Sequence, residues 1–326
     1  MTSLFGMKNL YKEAHKRGHK CLFLLSNDLN LSDKYNCIHL EENNYNLSLA
    51  SKNLNRFLPS SFSKSLRYLK HLMINFLNKN YTKKIEEWVK DQRSKEKKIN
   101  KIFELEKPDV VYTYGDRHSG FEPAIIKIAN QKKIPVIVPP IAFFSDKESL
   151  LISARRYNSV NKQICVTNSF SFKKKYPNQW VFDRQTKKDF SYYPKWQVFA
   201  MDKLGVLPEN PWIIGGGNSD IICTDGEKTK NLLLKNGVKS SKIIITGNSE
   251  HDILHSTWKD RQNIKRVVYK KYKLDPKKHL LVVALPQTFE HDLLTEKEHW
   301  KLQEAICLNS AKSNWNVLVS LHPKMD

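Results

Sequence analysis

The stretch Lys107–Pro140, KPDVVYTYGDRHSGFEPAIIKIANQKKIPVIVPP, decides the fold. Val110, Val111 and Tyr112 form a short run of strand-forming residues. Gly115-Asp116-Arg117-His118-Ser119-Gly120 interrupts it, and a helical pattern follows through Pro123, Ala124, Ile125, Ile126, Ile128 and Ala129. Ile134–Val138 then predicts a second strand. Strand, loop, helix, strand is the unit of a doubly wound parallel sheet, whose ligands sit past the C-terminal ends of the strands. An acid, a guanidinium and an imidazole fall at that point. The plainer alternative is a polar loop that caps the next helix.

Working outward toward the N-terminus, MTSLFGMKNLYKEAHKRG predicts a helix stopped at Gly18, and Cys21–Leu25 a strand after it. No strand precedes that helix, so the N-terminal domain is expected to lack its first strand. A weaker strand is expected near Cys37–Leu40. Residues 61–106 form a long basic helical region with apolar residues at helical spacing, among them Leu66, Leu69, Met73 and Phe76. Such a stripe is either buried against a sheet or laid on a membrane surface. The segment FKKKYPNQWVFDRQTKKDFSYYPKW at 172–196 interleaves cations with aromatic rings inside an insertion at 141–197. Single-stranded nucleic acid is gripped by that composition. An acceptor-covering loop or a plain surface loop has it too.

Further on, Ile221–Thr224 and Lys242–Thr246 predict strands around a helix ended by Gly237. Gly215-Gly216-Gly217 precedes a strand instead of following one, so it lacks the context of a dinucleotide fingerprint and reads as permissive backbone near a cleft. A charged helical linker covers 256–278. Leu280–Leu285, a helix at Glu296–Ala311 and Val317–Leu321 then open a second parallel-sheet domain. One such unit cannot bury both faces of its sheet, so this domain is expected to be incomplete.

The 326 residues suit two domains of about 100–200 residues each. A hydrophobic fraction of 40% and 11% aromatics suffice for real cores and exclude a disordered class. No apolar run approaches the roughly 20 residues of a membrane span. Cys21, Cys37, Cys165, Cys223 and Cys307 show no paired spacing, which argues against zinc or a disulfide framework and for a reducing cytoplasm. Neither HExxH nor a clustered ligand set suggests a metal, and no Walker A segment suggests a P-loop kinase. The net charge of +22 admits nucleic acid, an anionic membrane surface or phosphorylated substrates as partners. Nucleic acid is disfavoured, because no helix-turn-helix, RRM or KH pattern accompanies the charge.

Four segments together resemble the GT-B superfamily, and within it the hydrolysing UDP-N-acetylglucosamine 2-epimerases and related bacterial surface-polysaccharide glycosyltransferases. They are RGHKCLFLL, KPDVVYTYGDRHSG with its helix and IPV, GV followed by KIIITGNSEHD, and LVVALPQ with VSLHPKMD. Their order and spacing cover nearly the whole chain. The resemblance implies an α/β protein of two Rossmann-like parallel-sheet domains. The expected boundaries are 1–268 for the acceptor-side domain, carrying the insertion 141–197, and 269–326 for the start of a truncated nucleotide-sugar-binding domain. The epimerases follow the strand at Ile134–Val138 with a His-Val-Glu-Ala-Gly segment, where this chain reads VPPIAFFSDKESLLISARR. Glu148 and Arg155 or Arg156 match the family's next motif only loosely.

The function this implies is glycosyl transfer from a nucleotide-activated, UDP-linked sugar to a carbohydrate or lipid-linked acceptor, in cell-surface polysaccharide synthesis. The enzyme would need no cofactor, and would be cytoplasmic or peripheral on the inner face of the membrane. Hydrolysing 2-epimerisation is the alternative, and an inactive fragment or polyanion-binding protein is a third. Asp116, His118, Glu122 and His322 are the candidates for proton transfer. Arg117, Ser119, Gln287, Glu290, His291 and Lys324 are the candidates for phosphate and substrate contact. The structural alternatives are specific: a helix cap for Asp116, a helix-dipole partner for Glu122 and a strand-end residue for His322.

Overall fold

The computed structural model describes residues 2–26, 37–40, 64–140, 147–156, 164–167, 169–289, 294–312 and 314–321. The chain divides into two compact units, residues 1–150 with 163–248, and residues 151–162 with 249–326.

The first unit opens with α1 (Thr2–Lys16), closed by Gly18 at φ 85°, a conformation glycine adopts without Cβ strain. Strands β1 (Phe23–Ser26) and β2 (Cys37–Leu40) pair in parallel. Helix α2 (Lys64–Glu106) is 43 residues long. Its described part buries Trp88, Gln92, Lys95, Ile99 and Phe103, positions three or four apart that form one stripe. Ile99 and Phe103 join Phe121, Ile126, Ile128, Ala129 and Val136 in one core. The long basic helix is therefore a core element over this part. Leu66, Leu69, Met73 and Phe76, on which the amphipathic expectation rested, have side chains outside the described residues.

Next come β3 (Val111–Tyr112), α3 (Glu122–Gln131) and β4 (Val136–Val138), the expected strand–loop–helix–strand unit. After α4 (Lys147–Arg156), the insertion folds as β5 (Cys165–Val166), α5 (Phe170–Lys175), β6 (Trp180–Asp183) and β7 (Lys188–Ser191). These strands make an antiparallel sheet in the order β5-β7-β6. The basic, aromatic stretch is thus a built sheet, and two of its cations are held in ion pairs. Lys173 pairs with Asp189 at 2.6 Å and lies over the Trp180 ring, and Lys175 pairs with Asp202 at 3.1 Å.

Helix α6 (Lys195–Leu204), β8 (Ile221–Thr224), α7 (Glu227–Lys235) and β9 (Ile243–Ile245) complete the unit. The main sheet runs β3-β4-β8-β9, all parallel. Ile213 and Ile214, just ahead of the glycine run, pack with Val138, Ile222, Leu233, Val238 and Ile243 in a second core. An irregular segment supplies apolar cover there that a helix usually provides.

The second unit contains α8 (Ser249–Lys259), α9 (Arg261–Lys271), β10 (Leu280–Ala284), α10 (Glu296–Ala311) and β11 (Asn316–Ser320). Strands β10 and β11 pair in parallel. Helix α10 starts with a full capping box, Thr295 and Glu298 bonding each other's backbone N–H. Both units are parallel α/β layers of the Rossmann-like kind. Among the described residues, no helix is long and apolar enough to cross a membrane.

Candidate functional site

The β3–α3 loop holds four of the residues singled out from the sequence, and a fifth, Glu122, opens α3. Asp116 is buried, and its carboxylate accepts three hydrogen bonds. Oδ1 takes the Gly215 N–H at 2.9 Å; Oδ2 takes the Gly217 N–H at 3.0 Å and the Ser219 hydroxyl at 2.7 Å. These donors lie about a hundred positions later, on the segment that enters β8. The helix-cap alternative does not apply, because α3 starts after Phe121 with no side-chain cap. Asp116 instead fixes the 215–219 segment against the loop. Gly217 makes this approach possible: a Cβ there would stand 2.0 Å from the Asp116 carbonyl oxygen. A Cβ on Gly216 would stand 2.0 Å from the Asn210 carbonyl oxygen.

Arg117 is also buried. Its Nη1 donates to the Pro211 carbonyl at 3.3 Å and its guanidinium lies 5.6 Å from the Tyr192 ring centre. The Tyr193 hydroxyl donates to the Arg117 carbonyl. Burial pushes the Tyr193 phenol well above its ordinary value and raises Tyr192 as well. Arg117 Nε is buried without a partner. The guanidinium expected to hold a phosphate therefore links the loop to the aromatic end of the insertion.

His118 stacks on Tyr114 with ring centres 5.6 Å apart. Its Nε2 is buried without a hydrogen-bond partner and lies over Gly115, where an added Cβ would come within 3.0 Å of it. Ser119 is half-buried in the same loop, and Glu122 occupies the first turn of α3. Asp116 and His118 line one end of a groove of about 450 Å³ between α3 and α6, with Lys127, Asn130, Met201 and Asn218 along its walls. Lys127 is held by Glu96 at 2.7 Å and Asn130 by the Asn218 carbonyl at 3.0 Å, so the walls are braced from both sides.

In the second unit Gln287 is half-buried in the loop after β10. Glu290, His291, His322 and Lys324 lie outside the described residues. Sequence reasoning missed what fixes this loop. His299 on α10 is buried, and its Nδ1 accepts the Phe289 N–H at 3.2 Å and lies 2.7 Å from the Thr288 hydroxyl. Gln303, one turn on, donates to the Pro286 carbonyl at 2.7 Å. Two polar residues four apart on a helix face were the available signal. Ser219, Tyr192 and Tyr193, which hold the first loop, carried none. No group of three or more metal-ligating side chains converges among the described residues.

These features define a protein of parallel α/β units with a polar loop fixed at one βα turn. Solved structures similar to this chain include UDP-N-acetylglucosamine 2-epimerases. The enzyme from Rickettsia bellii shows 16% identity at a TM-score of 0.34, covering 72% of this chain and 45% of that one. The enzyme from Methanocaldococcus jannaschii shows 17% identity at 0.37, covering 72% and 48%. The Neisseria meningitidis enzyme bound to UDP-GlcNAc shows 14% identity at 0.35, covering 72% and 49%. The match thus spans just under half the length of these structures. No protein-family model matches the chain, and no curated protein does.

Proposed function

We propose that the chain works in nucleotide-sugar chemistry of the GT-B type, and that the reaction is glycosyl transfer to a carbohydrate or lipid-linked acceptor in surface-polysaccharide synthesis. One observation carries the reading. Four separate segments that resemble this superfamily each form the strand-and-loop element the resemblance implies. RGHKCLFLL turns from α1 into β1, and KPDVVYTYGD forms β3 and its loop. KIIITGN forms β9 ahead of α8, while LVVA and VLVS fall on the paired strands β10 and β11. The lack of a glutamate where the epimerases carry one after β4 favours transfer over 2-epimerisation.

In this reading an acceptor hydroxyl attacks the anomeric carbon and the bond to the donor's diphosphate breaks. The electron pair leaves on the β-phosphate oxygen, and the hydroxyl proton needs an acceptor within hydrogen-bond reach. His118 is our choice for that acceptor, because its Nε2 has no protein partner while Asp116 has spent both oxygens. A half-turn of the ring about Cβ–Cγ would carry Nε2 off Gly115. Asp116 is then a positioning residue, and Glu122 and Ser119 are proposed to meet acceptor hydroxyls. Gln287, His291, His322 and Lys324 are proposed to meet the leaving diphosphate, where donors aimed at developing charge lower the barrier, and Glu290 is proposed to accept from a sugar hydroxyl.

The test is thermal stabilisation by UDP, CDP, GDP and their sugars. Ligand at about 100 times its Kd adds roughly 2.7 kcal/mol, so one base should raise the midpoint distinctly. No shift across the panel overturns the reading. With a donor in hand, His118→Ala is expected to leave its binding unchanged and to slow transfer by about 10²–10⁴-fold. Release of free sugar and UDP without any acceptor would assign the chain to 2-epimerisation instead.

A further inference from the structure

Helices α8 and α9 present a surface that no part of the described chain covers. Every residue from His251 to Val267 is exposed, and α8 buries no side chain. Leu254 and Trp258 are each 65% exposed and Val267 57%, with Ile253 and Ile264 partly exposed beside them. Leu254 and Trp258 stand four apart on α8, and Ile264 and Val267 three apart on α9, so each pair shares a face of its helix. An isolated 11-residue helix is marginal in water, and helices of this length draw their stability from covering an apolar face.

The charge around these side chains indicates what covers them. From Lys259 to Lys271 there are six basic residues, Lys259, Arg261, Lys265, Arg266, Lys270 and Lys271, against one acid, Asp260, while the first turn of α8 carries Glu250 and Asp252. None of the six takes part in an ion pair among the described residues. Three of them lie over aromatic rings of the same pair: Arg261 over Trp258 at 4.8 Å, Lys265 over Tyr269 at 5.2 Å and Lys271 over Tyr272 at 5.0 Å. Aliphatic side chains and an amphipathic ring beside unpaired cations match the boundary between acyl chains and anionic headgroups.

We infer that α8 and α9 dock the protein on the surface of an anionic phospholipid bilayer. The aliphatic and indole groups enter the headgroup boundary while the cations meet lipid phosphates. The net charge of +22 draws the whole molecule toward such a surface. A nucleic acid would satisfy the cations but offers nothing to Leu254, Ile264 and Val267. A second copy in a two-fold arrangement would set basic face against basic face. The inference stands apart from the proposed reaction, and a protein that binds no nucleotide could still show it.

The test is co-flotation of the full chain with vesicles of phosphatidylcholine, with and without phosphatidylglycerol. Binding is expected only with the anionic lipid. Both Leu254→Ser/Trp258→Ser and Lys265→Glu/Arg266→Glu should weaken it about tenfold or more at unchanged melting temperature. Lys174→Glu/Lys188→Glu, with the same charge change on exposed residues of the insertion, should weaken it much less. The inference is overturned if the wild-type chain ignores anionic vesicles. It is equally overturned if Leu254→Ser/Trp258→Ser binds them as well as wild type, which would reduce the effect to bulk charge. A solution dimer abolished by that same substitution would assign the face to a second copy.

Discussion

A carboxylate buried with three donors is worth more to the fold than any exposed ion pair on this molecule. Asp116 answers two backbone N–H groups and the Ser219 hydroxyl. Remove it, and three buried donors lose their acceptor together. Each unsatisfied buried group costs about 1–3 kcal/mol, so Asp116→Ala should destabilise the first unit by about 3 kcal/mol or more. Ser219→Ala removes one bond along with its own hydroxyl and should cost only about 1 kcal/mol. In the double variant the second loss should be much smaller than in isolation, because the two residues share that bond. Urea midpoints at constant slope would measure all three. An Asp116→Ala loss below about 1 kcal/mol would show that the segment is held by something else.

At the scale of elements, the segment between α6 and β8 takes the place of a regular packing helix, and it works only because glycine lets two backbones meet. The Cβ of Gly216→Ala or Gly217→Ala would face a carbonyl oxygen at 2.0 Å, and neither oxygen can swing away as a side-chain end could. Each substitution should cost about 3 kcal/mol or more, in the range of overpacked cores. Gly226→Ala is the control. Its backbone is extended at φ 178°, and an added Cβ meets nothing within 4 Å. It should be neutral or stabilise by up to about 1 kcal/mol through the unfolded chain. Melting curves for the three variants decide the matter, and equal losses at Gly217 and Gly226 would refute it. These close contacts mark the limit of what the sequence disclosed. Periodicity was enough for α3, β8, β10 and α10, each an unbroken pattern bounded by Gly, Pro or a cap. It could not show that Gly217 exists to admit Asp116, since the partners lie 101 positions apart. The sheet inside 141–197 escaped for another reason. Its strands are only two to four residues long, and Lys, Asp and aromatic residues alternate there without a clear apolar face. Of the candidate site, the loop itself was legible. The duties of its residues were not, because Arg117 and Asp116 are spent on contacts with distant segments.

For the whole molecule the governing quantity is charge. Lys and Arg outnumber Asp and Glu by 55 to 33, and among the described residues the ion pairs that offset repulsion are mostly exposed. Arg17–Glu13 and Lys20–Glu106 are of that kind, and such pairs contribute about 0–1 kcal/mol each. Among the described residues Lys127–Glu96 and Lys173–Asp189 are better shielded, and Lys95–Asp91 more so, with side chains 11% and 8% exposed. Salt acts on both terms in opposite directions. It screens the mutual repulsion of an excess of 22 positive charges over the full width of the molecule, and it weakens the local pairs. The Debye length falls from about 30 Å at 0.01 M to about 8 Å at 0.15 M, a change that removes long-range repulsion and leaves contacts under 4 Å less affected. Repulsion is the long-range term here and pairing the short-range one. The melting temperature should therefore rise by a few degrees between those salt concentrations, because self-repulsion of a strongly charged chain opposes its compact state. A fall over the same range would mean that the paired charges outweigh the unpaired ones.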